Sequence, residues 1–386
     1  MKIELIWWEI KKLWQLRTWM IFLVLCLAFN FLLVAESGAF SEDGAYVAYV
    51  GEVTRAVGNQ MGGKFTARVR TLPENPYRDR LLSETTGASD IFADYETGEL
   101  YAYYVGNYHI GGFVAEALAR KYEGLQRRVE ELAARGASLS VGAAGMTDHV
   151  LEYLFAWLCP ALLTEAILLS VLLALYASGG EQANHTQHMV YVTRRGRQIQ
   201  IEKMIAALVS AEAAYILLVG ASVGIFAASW RLGEAWQMDM ASQFYLVRDL
   251  GVEMPFVAWA DFTLTGYMAA VAALGALVIL LFGLLGLCAG LATKNTYRGF
   301  LLLFVCMALN FWGLFFSGNS GFWGMYEAMQ WTPAAVWSSV PLWLSGLNLS
   351  VLVPWQDVKA VLVCLLAAGG LLMAARYRFA RCEIYG

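Results

Sequence analysis

Residues 262–291 read FTLTGYMAAVAALGALVILLFGLLGLCAGL, thirty positions without a charged side chain. A hydrocarbon layer of about 30 Å is crossed by about 20 mostly apolar helical residues. This stretch is therefore long enough to cross with a tilt or a bend. Five others qualify or nearly so: 19–35, 151–177, 204–230, 299–317 and 357–375. Within lipid every backbone N–H and C=O must be paired inside the chain, and helices achieve this segment by segment. The short alternating segments of a membrane barrel are not seen. The expected fold is an all-α polytopic membrane protein with six transmembrane helices.

The remaining composition agrees. Of 386 residues 59% are hydrophobic and 15% charged, with 14 Trp, 19 Tyr and 20 Phe, against nearer half and a quarter in soluble domains. That balance excludes a disordered chain, a basic nucleic-acid binder and an ordinary cytosolic enzyme. With 27 basic and 31 acidic side chains the formal charge is −4, so the chain as a whole does not attract polyanions.

The connections indicate orientation. Segments 1–17, 177–203, 292–298 and 376–386 hold 13 Lys and Arg in 62 residues, against Arg231 and Arg248 alone in the 71 residues of 230–261 and 318–356. Cytoplasmic loops are the ones enriched in Lys and Arg, so both termini are expected inside the cell. Residues 36–150, with 11 basic and 16 acidic side chains, do not vote, because long segments translocate largely regardless of charge. Residues 1–18 precede the first span as an interfacial helix, with Ile3, Trp7, Ile10 and Trp14 on one face and Glu4, Lys11 and Lys12 elsewhere. Ser37-Gly38-Ala39 resembles a leader cleavage site, but the long leading region reads as a retained anchor. The six cysteines, Cys26, Cys159, Cys288, Cys306, Cys364 and Cys382, read as small packing residues rather than a disulfide framework.

The 36–150 insertion reads as a helical extracytoplasmic lobe. Tyr46, Val50, Val53 and Val57 repeat at helical spacing, as do Val114, Leu118, Leu125, Val129 and Leu132. The two stripes are expected to pack on each other, with Pro73 and Pro76 breaking the pattern between them. Glu116–Arg120, Glu123–Arg127 and Glu131–Arg135 stand in the favourable i,i+4 order for helix-stabilising pairs. An outer loop follows at 231–261, a cytoplasmic turn at 292–298, and a cytoplasmic tail at 376–386. Segment 318–356 has five Trp, three Pro and no Lys or Arg, which suits short helices partly dipping into the outer leaflet.

Chemistry-bearing patterns are sparse. Gly62-Gly63-Lys64 lacks the spacing of a phosphate-cradling loop, and no His-Glu-x-x-His occurs. Glu181, His185 and His188 fall on one helical face, donor types that suit a divalent cation or, more simply, a solvated polar helix. Glu165 and Glu212 lie near mid-membrane. A charge there costs roughly 2.5–3.5 kcal/mol, so such residues face a bundle interior or a wet path. Both a substrate-path role and a protonated helix-to-helix hydrogen bond fit them. Ala272-xxx-Ala276 and Gly286-xxx-Gly290 permit close helix approach.

Residues 176–203, YASGGEQANHTQHMVYVTRRGRQIQIEK, resemble the first cytoplasmic loop of permease subunits of ABC-2-type ABC transporters. In that family an acidic residue leaves the second span, followed by a coupling helix, a Thr-x-x-Gly/Ser-Arg turn and a Lys opening the third. The matching positions are Glu181, then His185 and His188 within the coupling stretch, then Thr193, Arg194, Arg195, Gly196 and Arg197, then Lys203. The Trp-rich N-terminal helix, six spans and short outer helices are similar too, and the insertion after the first span resembles a bacterial branch of exporters. A Gly-Thr common after the acidic residue is Asn184-His185-Thr186 here.

The resemblance implies a permease in the bacterial plasma membrane, itself without cofactor or catalytic residues. A separate ABC ATPase subunit would bind ATP-Mg and grip the 178–203 loop, and a second permease copy or homologue would complete the path. Arg194, Arg195 and Arg197 would also anchor the loop at anionic lipid. The competing classes are a peptide-sensing or immunity protein working with an ATPase without bulk transport, and a polytopic membrane enzyme using Glu165 and Glu212. No repeat of broken helices supports a secondary transporter.

Overall fold

The computed structural model describes residues 3–183, 189 and 198–381. Among them six helices are long and apolar enough to cross a membrane: Arg17–Glu36, Ala144–Glu181, Ile199–Trp230, Leu264–Thr293, Thr296–Ser320 and Gln356–Arg381. The second and sixth run furthest past their apolar stretches, because a nucleated helix extends readily into polar residues. The second also carries a π-helical turn at Tyr153–Leu158, just before Pro160, which cannot supply the next backbone N–H. The chain is thus a predominantly helical, multi-pass membrane protein.

The fourth span, Leu264–Thr293, sits at the centre and packs against the second, third, fifth and sixth. Its glycines explain how. A Cβ on Gly286 would lie 2.8 Å from Cβ of Ala174 on the second span, and one on Gly290 would collide with Ser178. Gly275 and Gly283 similarly meet Tyr215 and Leu208 of the third span. The expected Gly286-xxx-Gly290 contact is therefore real, and it faces the second span. Two polar struts reinforce it: Ser170 Oγ donates to Ile279 O at 3.1 Å, and Tyr215 Oη to Ala272 O at 3.1 Å.

Caps fix the ends. Thr263 accepts from the Gly266 amide and starts the fourth span, which ends at Lys294 with φ of 53°. Asn295 then accepts from the Arg298 amide to start the fifth, so a turn of very few residues reverses the chain. The fifth and sixth spans are the least enclosed, with 11% and 22% of their most apolar windows buried against 67% for the second. Phe304, Trp312, Phe315 and Leu366 stand exposed on them.

The lobe is built from helices Glu42–Val57, Gly63–Arg70, Pro76–Thr85, Thr97–Tyr108 and Gly112–Ala134. Its two apolar stripes do not pack on each other. Tyr46, Val50 and Val53 form a small core with Phe65, Val69 and Leu81. Val114, Leu118, Leu125, Val129 and Leu132 join the main core, which also holds Leu347 and Leu349. Intervening short helices absorb the first stripe, and Pro76 opens one of them behind an Asn75 cap rather than merely breaking a pattern. The 231–261 connection contains the hairpin Leu246–Asp249 and Val252–Pro255, turned by Leu250 and Gly251 at φ of 47° and 83°.

The anticipated lobe ion pairs are also redistributed. Arg128 bonds Glu131 at 3.0 Å and reaches Asp261, while Arg135 bonds Asp239 at 2.8 Å and Asp261 at 3.0 Å. Among the described residues Arg120 and Arg127 make no ion pair with Glu116 or Glu123. Carboxylates on the 231–261 connection, available only in three dimensions, draw Arg135 away from Glu131, which bonds Arg128 instead.

Gly286→Leu should destabilise the protein by about 1–3 kcal/mol or more through overpacking, lowering its melting temperature in detergent. Gly220→Leu, at a site with open space around it, should leave that temperature nearly unchanged.

Candidate functional site

Three polar clusters interrupt the apolar packing. The first is where the second span ends and the third begins. Glu181 and Lys203 form an ion pair and both are buried. Beside them Gln200 Nε2 donates to Ala177 O at 3.0 Å. The N-terminal helix Ile3–Trp14 lies against the third span, bringing Glu9 and Lys12, themselves 3.8 Å apart. These four charged residues line one small cavity of about 40 Å³ with Tyr176. Gly179 faces Thr296 closely enough that a Cβ would sit 3.0 Å from its Oγ1. Four elements therefore meet at the base of the loop between spans two and three.

The pairing has a clear physical basis. Isolated, each charge would cost several kcal/mol to bury, and mutual attraction with added hydrogen bonds offsets that. Of the loop residues named from the sequence, Glu181 and Lys203 are brought together. His185, His188, Thr193, Arg194, Arg195, Gly196 and Arg197 lie outside the described residues. The N-terminal helix does not present its whole apolar stripe inward: Ile3 and Trp7 are exposed, while Leu13 is buried and Trp14 packs edge-on against Trp19 with ring centres 4.6 Å apart.

The second cluster is at mid-span. Asn30 of the first span donates from Nδ2 to Glu165 Oε2 at 2.7 Å, both residues being buried. Nearby, Trp337 Nε1 donates to Thr164 Oγ1 at 3.0 Å. Glu212, on the third span, is half-buried. Among the described residues it has no hydrogen bond or ion pair, and none joins it to Glu165. Asn30 was not legible as Glu165's partner, since nothing in sequence spacing links positions on different spans.

The third cluster joins the lobe to the spans and centres on segment 343–349. Lys121 Nζ donates to Asn348 O at 2.7 Å and lies 4.1 Å over the Tyr122 ring. Tyr122 Oη donates to Leu347 O at 2.6 Å. Asp249 of the hairpin accepts from the Leu349 amide at 2.7 Å and from Tyr104 Oη at 3.2 Å. From the span side, Asp357 accepts from the Leu344 amide at 3.0 Å and Tyr267 Oη donates to Trp343 O at 2.8 Å. Lobe, hairpin, fourth span and sixth span thus all hold one short segment.

Burial shapes the electrostatics there. It pushes Lys121 down to about 7, opposed by the charges of Asp249 and Glu327. It pushes Glu327, on the short helix Trp323–Met329, up to about 8 against the attraction of Lys121. Both Glu327 oxygens are buried without a hydrogen bond. Signals for this cluster existed: Lys121 falls inside the Leu118–Leu125 stripe, and Glu327 is the lone charge in segment 318–356.

No family model matches the chain, and neither a curated protein nor a solved structure matches it.

Two outcomes follow from these clusters. Replacing Glu165 by Ala should cost about 1 kcal/mol of thermal stability in detergent, whereas Gln, which keeps an acceptor for Asn30, should cost little. Glu327 binds its proton more tightly folded than unfolded, so between its ordinary 4.5 and about 8 it makes stability fall as pH rises. Lys121 acts in the opposite sense, and only above about 7. Melting temperatures of Glu327→Gln across pH 5 to 8 should therefore decline less than those of the parent.

Proposed function

We propose that the chain is the membrane permease subunit of an ATP-driven ABC-2-type exporter in a bacterial plasma membrane, with both termini cytoplasmic. A separate ABC ATPase subunit supplies ATP-Mg and hydrolysis, and a second permease copy or homologue completes the path. The observation that carries this reading is the convergence at Glu181 and Lys203. The two positions that bracket the ABC-2-like loop are ion-paired where the second span, third span and N-terminal helix meet. A soluble motor gripping that loop would tilt packed helices rather than a free strand, and interfaces of this kind move as rigid bodies. The open apolar faces of the fifth and sixth spans suit lipid or the second copy.

A sensing role with an ATPase but no bulk transport is the second reading. The observation favouring it is the set of hydrogen bonds from lobe helix and hairpin to segment 343–349, which ties the lobe to two spans. Vesicle transport separates the two, since ligand-stimulated hydrolysis without cargo movement would support sensing.

Co-purification tests the coupling contact. Glu181→Ala and Arg197→Glu should each reduce the ATPase recovered with the full chain by about tenfold, near 1.4 kcal/mol, with membrane insertion intact. Undiminished recovery, or a reporter placing the 178–203 loop outside the cell, would overturn the reading.

A further inference from the structure

Helix Gly112–Ala134 carries cations and small residues on one face. Ala117, then Arg120 and Lys121, then Gly124, then Arg127 and Arg128 follow one another at spacings of three and four, so they share one side of the helix. Together they line an open cavity of about 560 Å³, whose other wall is Trp259 and Leu352–Pro354. That volume is within the range of about 300–1,000 Å³ usual for ligand sites. A Cβ on Gly124 would meet nothing within 4 Å, so the small residue leaves space rather than admitting a neighbour.

Charge in the cavity is lopsided. Of its four basic side chains, Arg128 is already bonded to Glu131 and Asp261 and Lys121 lies buried near Asp249 and Glu327, so the unneutralised charge is that of Arg120 and Arg127. Arg120 and Arg127 are exposed and, among the described residues, have no ion pair or hydrogen bond. Two further donors are underused. The Trp259 indole N–H is buried without a hydrogen-bond partner. Lys121, 4% exposed, spends one of its three ammonium donors, on Asn348 O. Buried donors without acceptors are costly and uncommon, so the polar groups under the cavity floor are held by packing, and the two exposed guanidinium groups are the donors free to meet an anion.

The cavity's position selects the anion. Trp259 stands five residues before the fourth span and Pro354 two before the sixth. The apolar wall therefore continues into the two helices that enter the hydrocarbon layer. Indoles favour such interfacial depth, and guanidinium groups bind phosphate through paired, charge-assisted hydrogen bonds. We propose that this cavity is a binding site for the phosphate headgroup of an anionic lipid at the lobe-side membrane surface, held by Arg120 and Arg127, with Trp259 and Leu352–Pro354 as the apolar wall against the lipid. The site is independent of the exporter reading, since it requires only a chain embedded beside such lipid.

The test uses the full chain purified in an uncharged maltoside. Dihexanoyl phosphatidic acid, dihexanoyl phosphatidylcholine and inorganic phosphate are titrated separately, with thermal stabilisation as readout. The phosphatidic acid should stabilise the parent at concentrations about tenfold below the phosphatidylcholine or inorganic phosphate. The double variant Arg120→Gln/Arg127→Gln, altered only at exposed positions, should melt as the parent does without lipid and lose at least about tenfold in affinity. Arg120→Lys/Arg127→Lys should recover part of it. Equal binding of phosphatidic acid by the Gln double variant, or of phosphatidylcholine by the parent, overturns the site. Inorganic phosphate binding as tightly as the lipid overturns the lipid assignment in favour of the free ion.

Discussion

Glycine on the fourth span sets how near the rest of the bundle can come. Helices in lipid gain nothing from hiding apolar surface from one another, so association depends on close contact and polar bonds. Gly286 and Gly290 remove the side chains that would hold the second span away, and Gly275 and Gly283 do so for the third. With those backbones close, Ser170 and Tyr215 reach carbonyls across the gap. The second span becomes the most enclosed of the six, and it carries two of the polar clusters. At one end is the Glu181–Lys203 pair; at mid-depth Glu165 meets Asn30.

On the lobe side a single segment does a comparable job with hydrogen bonds. Residues 343–349 receive Lys121 and Tyr122 from the lobe, Asp249 from the hairpin, Tyr267 from the fourth span and Asp357 from the sixth. Tryptophans extend the connection: Trp323 donates to Tyr108 O, Trp337 to Thr164 and Trp343 to Val336 O, each at 3.0 Å. These bonds tie the fourth and sixth spans to the lobe through one segment. The same junction leaves Lys121 and Glu327 buried with few partners, a costly arrangement in a low-dielectric interior. Lys121 also lines the basic cavity beside helix Gly112–Ala134.

Residues differ in how far they could be read in advance. Long apolar runs announce helices because the bilayer tolerates few alternatives, and the glycine spacing of the fourth span announced a close contact. Stripes in the lobe were legible as helices, but not which core each would enter. Tyr46 and Val50 found Phe65 and Leu81, whereas Leu118 and Leu125 found Leu347 and Leu349. Ion pairs on helix Gly112–Ala134 were misjudged because local spacing counts only neighbours along one helix. Asp239 and Asp261, distant in sequence, take Arg135, and Asp261 shares Arg128 with Glu131.

Composition and periodicity alone determined that this chain is helical and lies within a membrane, because both follow from short-range demands: apolar length and internal pairing of backbone groups. The order of its segments, six apolar helices with one large polar insertion, was settled in the same way. Tertiary structure alone decided which polar side chains meet. Glu181 with Lys203, Asn30 with Glu165 and Lys121 with Asn348 are each separated by more than twenty positions, and their union depends on where close-packed backbones happen to bring them. A buried charge takes whatever partner the packing puts within about 3 Å, and no local pattern encodes that distance.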